Sequence, residues 1–99
     1  MLASYQYEVE ENLEIKEPKK YKVLLLNDDF STMDFVIDVL MGIFHKTYDE
    51  AEQIMLEVHN HGKGVCGVYT HEIALTKVAQ VKTKARSDGF PLKAIVEEE

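Results

Sequence analysis

The sequence predicts a two-layer α+β sandwich, in which a three-stranded antiparallel sheet is packed by three helices in the order β-α-α-β-α-β. Three observations point there. The chain has 99 residues, which is room for one core and no second one. Three stretches repeat their apolar residues at helical spacing, and each opens at a Ser or Thr. Short apolar runs of strand length, bounded by turn residues, fill the gaps between them. Antiparallel pairing is an expectation, and the strand order stays open.

The first strand is Tyr21–Leu26, which Asn27-Asp28-Asp29 stops. Ser31-Thr32-Met33-Asp34 then fits a capping box, with the Ser31 hydroxyl accepting from the Asp34 amide. Val36, Val39, Leu40 and Ile43 follow at helical spacing beside Phe35 and Phe44, and this helix is expected to end near His45. Thr47-Tyr48-Asp49-Glu50 is a second capping box. It opens a helix with the stripe Ala51, Ile54, Met55 and Val58, and Gly62 is the natural stop because helices often exit through a left-handed residue. Gly64–Tyr69 reads as a strand weakened by glycine; Gly62, Gly64 and Gly67 suggest tight turns or close backbone contact. Thr70 can cap a third helix with the stripe Ala74, Val78, Val81 and Ala85, which Gly89 and Pro91 end. Leu92–Val96 is the last strand, followed by Glu97-Glu98-Glu99.

Residues 1–20 carry five Glu and three Lys and hold no sustained apolar period. They are expected to form a flexible tail, leaving 21–99 as the folded domain. Hydrophobic residues make up 45% and charged residues 29%, which excludes a wholly disordered or collagen-like chain. The longest apolar run, Val23–Leu26, is too short for a membrane span, and no secretory signal is expected from the first residues. Net charge is −7 with no basic face, so nucleic acid and membrane are not expected as partners. A lone cysteine, Cys66, excludes an internal disulfide and a Cys-pair zinc site, and the chain reads as cytoplasmic and reduced.

Few residues offer chemistry. Asn27-Asp28-Asp29 at a strand end is first of all a turn, since Asn and Asp bond their own backbone. The sharper reading is an acceptor cluster for a cation or an ammonium group. His59, His61, Cys66 and His71 fit no standard metal spacing. His59 stands apart because it follows Val58 at the end of an apolar stripe, neither core nor fully solvated. Met33, in the first turn of a helix, can shape an adaptable apolar rim. No nucleophile elbow, phosphate loop or dinucleotide fingerprint appears, so an enzyme is not expected. The competing reading is a small metal-dependent hydrolase using Asp28, Asp29 and His59.

These segments carry a family resemblance. Tyr21–Leu26 with Asn27-Asp28-Asp29-Phe30-Ser31-Thr32-Met33-Asp34-Phe35-Val36 resembles the ClpS family of bacterial protease adaptors. So do Ile54-Met55-Leu56-Glu57-Val58-His59, the stretch Gly62 to Thr70, Glu72, Thr76-Lys77-Val78-Ala79 and Pro91-Leu92. The layout also resembles the C-terminal domain of the ribosomal stalk protein. The ClpS resemblance implies a monomeric adaptor, with no cofactor, that binds N-degrons: substrates with N-terminal Phe, Leu, Tyr or Trp, as in the N-end rule. It implies delivery to the AAA+ unfoldase ClpA, which feeds ClpP. By the same resemblance Asn27 and His59 contact the substrate α-amino group, Asp29 acts through water, and Asp28 neighbours it. The side-chain pocket falls to Leu25, Ser31, Met33, Val36, Met55, Val58 and Leu92, and Glu72 and Lys77 face the unfoldase. Met33 resembles the family's gatekeeper against β-branched first residues. Many members have Thr-Pro where this chain has Ser31-Thr32, which implies a slightly roomier pocket.

Overall fold

A computed structural model describes residues 18–99. Most of the predicted tail therefore lies outside the described residues. Among those residues the elements are β1 (Tyr21–Leu26), α1 (Met33–Gly42), α2 (Tyr48–His61), β2 (Lys63–Tyr69), α3 (His71–Asp88) and β3 (Lys93–Glu98). The predicted architecture and element order hold. The sheet is antiparallel throughout, and its order β2-β1-β3 puts β1 in the middle.

In this central strand Val23, Leu24 and Leu25 are all buried; Val23 and Leu25 face the helices, and Leu24, by alternation, faces the other side of the sheet. Val23 and Leu25 join Phe35, Val39, Leu40, Met55, Val58 and Val81 in the core. The pairing of β1 with β2 shifts at Val23/Leu24, so that Cys66 is the extra residue of a bulge, and its side chain is fully buried. Burial pushes the Cys66 thiol up to about 12.

Element ends correct several sequence expectations. The N-cap of α1 is Thr32, not Ser31: the Thr32 hydroxyl accepts from the Phe35 amide at 3.1 Å. Ser31 lies one residue outside the cap, where its amide donates to the Asp28 carboxylate at 2.6 Å and its hydroxyl is buried without a partner. The helix stops at Gly42, before His45, which takes a left-handed φ of 55°. The Lys77 ammonium donates to the freed Ile43 carbonyl at 2.7 Å. The capping box of α2 forms as predicted, with Glu50 N to Thr47 Oγ1 at 3.2 Å and Thr47 N to Glu50 Oε1 at 2.9 Å. Gly62 closes α2 at φ 86°. Thr70 stands at the N-cap of α3 without a side-chain cap bond. The last strand starts one residue late and runs on through Glu97 and Glu98, whose backbones pair with Lys22 and Tyr21. Ion pairs Lys63–Glu97 at 3.5 Å and Lys19–Glu98 at 3.3 Å accompany this extension; both are exposed, so main-chain pairing carries it.

Candidate functional site

Two segments distant in sequence are tied together where β1 ends. The Asn27 amide donates to the Gly62 carbonyl at 2.9 Å, and the Gly62 amide donates to the Val58 carbonyl at 2.9 Å. The strand end is thus fastened to the cap of α2, one turn beyond His59. Gly64 lets β2 lie close against the same turn. A Cβ there would sit 2.8 Å from Val58 Cγ2 and 3.2 Å from the Ile54 carbonyl oxygen.

A cavity of about 430 Å³ opens between the two segments. One wall is the run from Asn27 to Met33, with Val36 behind it. The opposite wall is Met55, Val58 and His59. Val36, Met55 and Val58 are buried and form an apolar floor. Asn27, Asp29 and His59 are exposed at the polar mouth. Met33, the first residue of α1, is half exposed at the rim.

Asp28 has a different task from its neighbours. Its Oδ1 accepts from the Phe30 amide at 2.8 Å and from the Ser31 amide at 2.6 Å, which folds the loop back on itself. Burial acts to raise the Asp28 carboxyl, but the Ser31 amide, the nearby Ser31 hydroxyl and the Phe30 amide outweigh it and hold it below the usual range. Asp28 Oδ2 and Ser31 Oγ are buried without a partner that meets hydrogen-bond geometry.

The cavity brings together Asn27, Asp28, Asp29, Ser31, Met33, Val36, Met55, Val58 and His59, all named from the sequence. It does not include Leu25, which is fully buried in the core, or Leu92, which lines a separate cavity beside Phe90 and Pro91. Periodicity marks such residues as apolar but cannot separate a cavity wall from the core beneath it. His59 is more exposed than its place in the stripe suggested. The sequence reading passed over Phe30 and Thr32, which also line the cavity. The available signal for Phe30 was a large aromatic inside an otherwise polar loop. Glu72 is exposed in the first turn of α3, while Lys77 is half-buried, with its ammonium also 5.9 Å from the Tyr69 ring. Neither lines the cavity.

The arrangement suits an ammonium group attached to an apolar side chain. The mouth offers acceptors from Asn27, Asp29 and His59, and the floor offers only hydrocarbon and thioether. It suits a metal poorly. Among the described residues no three His, Cys, Asp or Glu side chains are grouped so as to hold an ion, so Asp28, Asp29 and His59 do not make a ligand set.

Known proteins resemble this chain along most of its length. The family model described as ATP-dependent Clp protease adaptor protein ClpS matches residues 16–95. The ATP-dependent Clp protease adapter protein ClpS of Wolinella succinogenes is 56% identical over 96 residues, covering 97% of this chain and 94% of that protein. The protein of the same name from Acetivibrio thermocellus is 54% identical over 90 residues, covering 91% of each. The solved structure of Agrobacterium tumefaciens ClpS2 bound to L-phenylalaninamide superposes with a TM-score of 0.81 at 37% identity, covering 84% of this chain and 100% of that one. A match across nearly the whole described domain, at these identities, places the chain in the ClpS family of ATP-dependent Clp protease adaptors.

Proposed function

We propose that this adaptor binds the free N-terminus of substrates that begin with Phe, Leu, Tyr or Trp and delivers them to the unfoldase ClpA for degradation by ClpP. The observation that carries the reading is the Asn27–Gly62 hydrogen bond, which sets the Asn27 and His59 acceptors around one apolar-floored cavity. An N-terminal ammonium has three donors, and charge assistance strengthens each bond to Asn27, to His59 and to water held by Asp29. The first side chain enters the floor of Val36, Met55 and Val58. Burying a Leu or Phe side chain is worth about 1.5–3 kcal/mol, so neither the ammonium nor the side chain suffices alone. Internal Phe lacks the ammonium, and most N-termini lack the side chain. The bound L-phenylalaninamide of the Agrobacterium relative has both parts, a free amine and a benzyl side chain.

In this reading Asp28 shapes the loop, Ser31 belongs to the pocket wall and Met33 gates the rim. Leu25 and Leu92 support the site from within the core. Glu72 and Lys77 on α3 lie off the cavity, on the surface assigned to the unfoldase. The adaptor works as a cytoplasmic monomer.

The test is a series of labelled peptides that differ only in the first residue, read by fluorescence anisotropy. Phe, Leu, Tyr and Trp bind, while Ile, Val, Ser and Glu do not. In a Met33→Ala variant the β-branched residues gain entry. Equal binding across the series would contradict the reading.

A further inference from the structure

We propose that the substrate chain runs on from the N-terminal pocket, across the Asn27–Phe30 loop, into a cationic cavity that favours acidic residues some positions downstream. This rests on the proposed function and concerns what the rest of the substrate touches. The four loop residues that line the pocket also line a neighbouring cavity of about 470 Å³, completed by Leu26, Pro91 and Lys93. Pro91 and Lys93 in turn line a third cavity, of about 440 Å³, together with Phe90, Leu92, Lys82 and Arg86. Each cavity shares a wall with the next, so the three form a track. Phe30 stands at its first crossing with 76% of its surface exposed. A large aromatic left in water there is a ready contact for a chain laid over the loop.

Charge gives the track a direction. The molecule carries −7, yet every charged residue lining the third cavity is a cation. Lys82 and Arg86 lie one turn apart on α3, on the same face. Among the described residues, Lys82, Arg86 and Lys93 have no carboxylate within salt-bridge distance. Between them lies an apolar floor of buried Leu92 and of Phe90, whose ring stacks on Phe35 at 4.4 Å. An acidic residue beside the loop would meet Asp28 and Asp29 and be repelled. An acidic residue carried as far as Lys82 and Arg86 would be attracted. The occupant is therefore a substrate segment that is neutral next to its first residue and acidic further on.

The experiment uses the full chain and labelled peptides with a free N-terminal Phe. One peptide is neutral downstream; in the others a glutamate pair is moved stepwise from the second position toward the C-terminus. A K82Q/R86Q variant is compared, leaving Lys93 in place because it adjoins the Asp28–Asp29 loop. At low salt the distal-glutamate peptides should bind about threefold to tenfold tighter than the neutral one, and the gain should shrink as salt rises. Glutamates at the second position should weaken binding. The variant should lose the distal gain and hold the neutral peptide as before. The proposal is overturned if no distal gain appears, or if the gain survives in K82Q/R86Q. It is also overturned if an N-acetylated acidic peptide binds as tightly as the free one, which would make the cationic cavity an independent site. A neutral free peptide that fails to bind at all would instead sink the N-terminal reading, and this inference with it.

Discussion

Asn27 and His59 face the same cavity but are held there differently. Asn27 is fixed through its backbone, by the amide bond to Gly62, which leaves its side-chain oxygen free to accept. His59 projects from the last turn of α2, beside the buried Val58. Replacing either with Ala removes one acceptor from a charged donor and should cost about 1–3 kcal/mol of peptide affinity. Anisotropy titration measures this; unchanged affinity in both variants would remove these residues from the site. Imidazolium cannot accept a hydrogen bond, so protonating His59 should also weaken binding. Asp28 calls for a different measurement, because its carboxylate serves the Phe30 and Ser31 amides. Its folded pKa lies below the usual value, so the stability it contributes is present above the unfolded pKa of about 3.9 and lost as pH falls through the folded value. Asp28→Asn should therefore flatten the acid limb of the stability curve below about pH 4, as followed by urea unfolding. An acid limb as steep as the parent's would mean that the loop amides do not need the charge.

The packing of α2 on β2 sets the far wall of the cavity, and Gly64 is where it is tightest. In Gly64→Ala the new methyl would meet Val58 and the Ile54 carbonyl. The variant should lose about 1–3 kcal/mol of stability and bind peptide more weakly, because Val58 and His59 ride on the displaced turn. Normal affinity with lowered stability would show that the turn absorbs the strain without moving the site. The elements themselves were legible because each relies on a local signal: the capping box at Thr47, the exit glycine at Gly62, the apolar run of β1. The boundaries that shifted did so through contacts with no local signature. Ser31 fits the capping pattern better than Thr32, since Asp34 lies three residues on, yet Ser31 belongs to the loop folded onto Asp28 and the helix starts one residue later, capped by Thr32. Glu97 and Glu98 look like a charged tail, but pairing with β1 draws them into the sheet. Similarly, the polar loop was visible as a cluster from Asn27 onward. Its meeting with Val58 and His59 depends on long-range contacts, the pairing of the end of β1 with the start of β2 and the Asn27–Gly62 bond beside it, and without the family resemblance no spacing would have joined them.

In the proposed reading the adaptor holds a substrate and an unfoldase at the same time, on separate parts of the molecule. The cavity lies between the β1–α1 loop and the end of α2, while Glu72 and Lys77 lie on α3 and stay off its lining. Lys77 already donates to the Ile43 carbonyl, so only part of it is available to a partner, whereas Glu72 is exposed. In the proposed reading the overall charge of −7 does not select the ligand, and selection falls to a mouth of acceptors over an apolar floor. The most direct test of that division is anisotropy with two labelled peptides of one sequence, beginning with Phe, one with a free N-terminus and one acetylated. The account predicts micromolar or tighter binding of the free peptide and loss of binding on acetylation. Equal binding of the two peptides, or of neither, would contradict it.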